Sequence, residues 1–404
     1  MKEEGIRSTA GDFSVPDDIA LSLDIHVPIE ADNQATAFVA ITCYYATGEG
    51  RLQERILNLC EVKNDVTSMI DAVEDTLEIY GTGVEDKTIY FMCTNDVRHD
   101  LVIGGLRERY AEDRPSIDIR HYRLQCVRHA IYLAAQEFVG AIGFPAWTQN
   151  LTETVSDSLI SDGDISSAVH KLFQIFRNMD SCPVQELPGD KYSVCDATRM
   201  MEDALRHREV LEFYVSRHDE LKTLQMSPAD WNSIDFATKF LAPFLSAMRR
   251  PDPFGEYSTE SSLFKFLRVQ RKFGSWVKGE IASAPHPSLA TALSICLKFL
   301  FRYHSGSSPV YVWASIFDPC TKLHGLVTGD FKEDLECIVP REELYRYINL
   351  PLEAPECDAV EWWKTHASLF PLLVPFALKI LSIPGTALAS EYAYSHCRQT
   401  TRAR

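Results

Sequence analysis

The sequence lacks the short signatures that would settle a function at once. It has no CxxC pair, no GxSxG elbow, no GxxxxGK phosphate loop, no GxGxxG and no HExxH. Serine hydrolases, P-loop nucleotidases, dinucleotide-dependent oxidoreductases and zincin-type proteases therefore find no support. Long apolar runs are missing too. The longest, Leu369 to Leu378, stops at Lys379 and falls well short of the roughly 20 residues a bilayer span requires. The start, MKEEGIRSTAGDFSVPDD, is polar and acidic without an apolar h-region, so export is not expected and residues 1–18 read as a flexible acidic tail. Positive charge is scarce: 40 Lys and Arg face 57 Asp and Glu, a net charge of −17. That balance opposes unspecific binding to phosphate backbones, and the nearest basic stretch is the terminal RQTTRAR. Eleven cysteines, an odd number without paired spacing, read as reduced thiols in a cytosolic or nuclear setting. Only Cys126-x-x-His129 has a metal-ligand flavour, and zinc wants four ligands. Nothing nominates a small-molecule substrate.

What is present is enough apolar material, 46% of 404 residues, for two or three packed domains. Residues 20–27 (ALSLDIHV) alternate apolar and polar side chains at strand period, and 36–45 (TAFVAITCYY) is β-branched and aromatic. Gly48-Glu49-Gly50 supplies turn chemistry into a third strand at 51–62. Val66, Met69, Ile70, Val73 and Leu77 form a helical stripe over 65–80. Residues 88–93 (TIYFMC) read as a strand covered on both faces. A helix at 100–110 and a strand at 117–124 complete a βββαβαβ order, the topology of an RNase H-like domain. From His129 the periodicity turns helical for about two hundred residues. Helices are predicted at 129–139, 168–176, 198–213, 228–248, 261–281 and 287–303, broken by Pro/Gly/Ser-rich stretches. The expected organisation is a strand-rich first segment at 19–127, an all-α stretch at 128–355 and a closing segment at 356–404.

The segment 358–395, DAVEWWKTHASLFPLLVPFALKILSIPGTALASEYAYS, joins a tryptophan pair, an apolar helix, a small-residue turn and one carboxylate, Glu391. It resembles the C-terminal dimerisation segment of hAT-superfamily (Ac/hobo-like) DNA transposases, whose pattern runs WW, FP, apolar helix, SIP, small residues, SER. The resemblance implies an RNase H-like mixed sheet interrupted by a large all-α insertion, a homodimer, and a nuclear location, with the cytoplasm as alternative. It implies dimer contacts through Trp362, Trp363, Phe370, Leu373, Phe376 and Leu381. On residue chemistry alone, Trp362 and Trp363 fit a core as well as an interface.

The resemblance also implies a carboxylate centre, because phosphodiester cleavage by two Mg²⁺ ions needs several converging acidic oxygens. Asp24 in LSLDIHVP resembles the first of these and Glu391 the last, both as Mg²⁺ ligands. At the second position the family's Asp-Asn appears here inverted as Asn95-Asp96. In register, Asn95 fills the acidic slot with a neutral amide, and Asp96 points to the opposite face unless the strand end rotates it. The family's Thr-Arg-Trp motif is absent before Arg199-Met200-Met201, where Tyr192-Ser193-Val194-Cys195 stands instead. Tyr392 replaces an Arg beside the glutamate. Ile316-Phe317-Asp318-Pro319-Cys320-Thr321-Lys322 resembles the family's LDPRxK element, and an Asp-Pro turn is its plain structural reading. These departures point to a transposase-derived, dimerising protein with an impaired centre and weak contact with DNA. The alternative is an active Mg²⁺-dependent transposase or nuclease cutting phosphodiester bonds with Asp24, Asp96 and Glu391.

Overall fold

The computed structural model describes residues 19–26, 36–47, 52–80, 89–94, 97–113, 123–144, 162–179, 193–249, 262–302, 308–324 and 339–387. The chain divides into two compact units: residues 1–129, 260–268 and 304–404 form one, and 130–259 with 269–303 form the other.

The first unit is built on a five-stranded mixed sheet of order β3-β2-β1-β4-β5. Its strands are β1 (Ile19–His26), β2 (Thr36–Ala46), β3 (Leu52–Lys63), β4 (Ile89–Cys93) and β5 (Arg123–Gln125). β1 lies antiparallel to β2 and parallel to β4; β2 and β3 are antiparallel, β4 and β5 parallel. The alternation in β1 sends Leu21, Leu23 and Ile25 to one face, where they pack with Val39, Ile41 and Cys43 of β2 and Phe91 and Cys93 of β4. Two helices cover that face, α1 (Val66–Ile79) through Met69, Ile70, Val73 and Leu77, and α2 (Val97–Asp113) through Val102, Ile103 and Leu106. Asp65 starts α1, its carboxylate accepting from the Ser68 backbone N–H at 2.8 Å. β3 is an edge, and exposed Glu54, Glu61 and Lys63 along it discourage further pairing. Of the expected strand at 117–124, residues 123–125 pair with β4, and 114–122 lie outside the described residues. So does the Gly48–Gly50 turn.

The second unit is helical: most of α3 (Val127–Ala141), then α4 (Ile165–Arg177), α5 (Val194–Arg206), α6 (Arg208–Arg217), α7 (Pro228–Arg249), the greater part of α8 (Leu263–Ser283) and α9 (Pro287–Arg302). The single helix expected at 198–213 is two, because the intrahelical ladder stops at His207 and restarts there. Its core is aromatic, with Phe240 against Phe138 at 4.6 Å and stacked on Trp276 at 4.9 Å. The described helices that follow, α10 (Val310–Ile316), α11 (Arg341–Ile348), α12 (Ala359–Thr365) and α13 (Leu373–Leu381), group with the sheet. The sequence reading runs the helical insertion on to residue 355. Periodicity finds helices but does not say which core their apolar faces join.

Candidate functional site

Asp24 follows directly from the sheet register. Leu23 is the last β1 residue paired with β4, opposite Cys93, so Asp24 stands one step beyond, level with Thr94. Across β2 its partner is Ala40. It shares its face with Ser22 and Thr42, both buried, while Leu23 and Ile25 point the other way. Asp24 itself is 9% exposed. Beyond the end of β4, the Thr94 hydroxyl lies 3.3 Å from His99 Nδ1. The nearby Cys93 thiol is pushed up to about 12, first by burial, with Arg123 opposing and Asp24 adding to the rise. A thiol held so firmly protonated is no nucleophile. Arg123 is paired with Asp100 at 2.6 Å. Asn95, Asp96 and Glu391 lie outside the described residues. Among the described residues, no three His, Cys, Asp or Glu side chains gather where a metal ion could be held.

Cys126-x-x-His129 is a local fastening at the start of α3. The His129 backbone N–H donates to Cys126 Sγ at 3.4 Å, and that thiol donates to the Thr386 hydroxyl at 3.5 Å. Thr386 belongs to the small-residue turn after α13. There the Val127 N–H donates to Gly385 O at 3.0 Å, the Leu263 N–H donates to Ile383 O at 2.7 Å, and Ser262 bridges Pro384. Gly385 is required by contact: a Cβ would stand 2.6 Å from Phe266 Cδ2 and 2.8 Å from its Cβ.

The residues expected at a dimer contact are placed mostly inside the chain. Asp358 caps α12, accepting from the Val360 and Glu361 N–H groups at 2.8 and 3.0 Å. Trp363 is 0% exposed, donates its indole N–H to Phe317 O at 2.7 Å and packs on Tyr347 at 4.5 Å. Trp362 donates to Glu353 at 2.9 Å and stacks on the His366 ring at 3.9 Å. Phe370, Leu373 and Leu381 are buried, and Phe376 is half-buried with its ring against Phe317 and Trp313. Aromatic content alone could not separate these interior anchors from interface anchors. Among the described residues, the large apolar side chains this segment shows to solvent are Leu369 (51%) and Leu372 (65%), with Pro371 and Pro375 also exposed. Their loop is held from below: Glu343, on α11, accepts from the Leu372 and Leu373 N–H groups at 3.1 and 2.9 Å, placing a carboxylate at the start of α13.

Sequence reasoning gave the Asp-Pro element a turn and missed what the turn holds. Asp318 is fully buried, receives Arg268 Nε at 2.6 Å and a second bond from Arg268 Nη2, and also accepts from the Thr321 hydroxyl at 2.6 Å. Lys322, at φ 45°, donates to the Tyr347, Leu350 and Pro351 carbonyls at 3.1, 2.7 and 2.9 Å, closing the C-terminus of α11. The signal was there: an Asp and a Lys four apart in an apolar setting. Their partners are remote in sequence.

Comparison with known proteins fits this segment. Residues 343–404 match the family model described as the hAT family C-terminal dimerisation region. The Transposable element Hobo transposase of Drosophila melanogaster is 44% identical over 50 residues, a stretch that spans 12% of this chain and 8% of that protein. The glutamate that receives the α13 turn, the buried tryptophan pair and the exposed leucine loop all fall inside the matched region. Residues 343–404 are thus similar to the hAT family's C-terminal dimerisation region, over a stretch that spans only a small part of the transposase it matches.

Proposed function

We propose that this is a transposase-derived protein whose retained property is self-association through residues 343–404, and whose strand-cleaving centre is impaired. The observation that carries the first part is the loop at Leu369 and Leu372, two large apolar side chains exposed within the dimerisation-region match. Such side chains lose less when a second copy covers them, and a twofold arrangement covers the same patch on both copies. Trp362, Trp363, Phe370, Leu373 and Leu381 act by shaping that surface from beneath, and half-buried Phe376 borders it.

The second part rests on sequence and register together. The order β3-β2-β1-β4-β5, with β1 antiparallel to β2 and parallel to β4, supports an RNase H-like core with the helical unit inserted into it. In that frame Asp24 stands one step beyond the last β1 residue paired with β4, and the sequence after β4 reads Asn95-Asp96, an amide where the family's order has an acid. Two Mg²⁺ ions would ask for more anionic oxygens than Asp24 supplies. The same reading places the protein in the nucleus.

Light scattering at tens of micromolar should give a dimer for the unaltered chain. Leu369→Glu with Leu372→Glu should give a monomer with unchanged thermal unfolding; a monomeric unaltered chain would sink the self-association reading. Incubation of supercoiled DNA with Mg²⁺ or Mn²⁺ should leave it intact. Nicking abolished by Asp24→Ala would overturn the impairment.

A further inference from the structure

Two thiols meet near the surface of the sheet-bearing unit. Cys320 lies in the turn that opens at Asp318 and Pro319, and Cys357 precedes Asp358, the residue that caps α12. They are 37 positions apart in sequence. Their segments are fastened side by side. The Glu353 N–H donates to Pro319 O at 3.2 Å, and Arg268, which holds Asp318, also donates to Pro355 O at 2.9 Å. The Cys357 N–H donates to Ala354 O at 2.9 Å, and Cys320 Sγ lies 2.9 Å from the same oxygen and 3.8 Å from Cys357 O. Burial pushes the Cys357 thiol up and the Glu353 charge adds to the rise, while a hydrogen bond with the Cys320 thiol opposes it. The two sulfur atoms are thus neighbours. Both residues are half-buried and 351–356 beside them are exposed, so a small solute reaches the pair. Cys93 and Cys126 are also close, the Cys126 N–H donating to Cys93 O at 2.8 Å, but at 0% and 2% exposure they are out of reach.

We propose that Cys320 and Cys357 are a modification site, a dithiol that closes to an intrachain disulfide with a small disulfide of the glutathione class as oxidant. Cys357, as thiolate, attacks one sulfur of the oxidant and breaks its S–S bond; the released glutathione thiolate takes up a proton equivalent to the one Cys357 lost. Cys320 then attacks the Cys357 sulfur of the mixed disulfide, and a second glutathione leaves with the Cys320 proton. Two protein thiols are oxidised and one glutathione disulfide is reduced to two thiols. Burial pushes the Cys320 thiol up to about 12, with Arg268 opposing. Cys320 therefore acts last, where proximity offsets its weak ionisation. No thiolate stabilises the reduced pair, so the bond, slow to form at neutral pH, is retained once made. Closure pins the start of α12, and with it Trp362 and Trp363, to the turn that Arg268 holds. It needs no second copy of the chain, so it stands or falls apart from self-association.

The test equilibrates the reduced full chain in glutathione buffers of rising oxidised fraction, alkylates the remaining thiols and maps tryptic peptides without reduction. Trypsin puts Cys320 on peptide 303–322 and Cys357 on 347–364, with Cys337, which lies outside the described residues, on 333–341. The expected product is 303–322 joined to 347–364, two hydrogen atoms lighter than the separate peptides. The oxidised chain should unfold about 5 °C higher than the reduced one. Cys320→Ser and Cys357→Ser should each abolish both the joined peptide and the difference in unfolding temperature. Should either variant fail to fold, the peptide map of the unaltered chain decides alone. Full alkylation of both cysteines in the most oxidising buffer, glutathione adducts that never close, or joining of either to another cysteine would overturn the proposal.

Discussion

Asp230 shows how much a single side chain can organise. Buried at the start of α7, it accepts from Lys171 at 2.7 Å and from the Ser227 and Gly163 N–H groups at 3.0 and 3.2 Å. Burial pushes its carboxyl up, but the Lys171 hydrogen bond and charge and the two backbone donors outweigh it and leave it below its ordinary 3.8. A folded value below the unfolded one adds stability above pH 3.8 that fades as pH falls through the folded value. Asp230→Asn should therefore destabilise the protein by about 3 kcal/mol near neutrality, through an uncompensated Lys171. In urea midpoints taken from about pH 7 down to about pH 3, the difference from the unaltered chain should shrink only at the acid end. A constant difference would mean that Asp230 acts by shape alone. At this scale the sequence was legible where chemistry is local, as in Asp24 on its strand. It was illegible where the partner is distant: Trp363 reads equally as core or interface until Phe317 O is seen to receive its indole N–H.

Elements were easier to read than residues. The alternation in β1 and the helical stripe of α1 name both the element and its buried face, since each pattern matches one backbone period. α2 was foreseen three residues short at either end, because its charged termini carry no apolar signal. The dimerisation segment is a different case. Its apolar density was visible, but density cannot tell the side of α13 that packs inward from the Leu369–Leu372 loop that faces out.

For the whole molecule, the decisive contacts are those that tie remote stretches of chain. Cys126 and Val127, Ser262 to Phe266, and Ile383 to Thr386 meet at one turn inside the sheet-bearing unit. Gly385→Ala should force a methyl group against Phe266 and cost about 1–3 kcal/mol. Chemical unfolding should report that loss; an unchanged midpoint would mean that Phe266 swings aside. Composition suggested two or three domains; the chain divides into two compact units, with α10 onward grouped with the sheet, a grouping on which helical period is silent.

That shared turn sets a timetable for biosynthesis. Its earliest and latest members are 260 positions apart, which at roughly 5–20 residues per second of translation separates their emergence by roughly 13–50 seconds. Throughout that interval the nascent sheet lacks its final clasp while an entire helical module is made. Ribosome-bound chains halted before Ile383 should accordingly present apolar surface that chaperones hold, and release should follow only when the closing turn arrives.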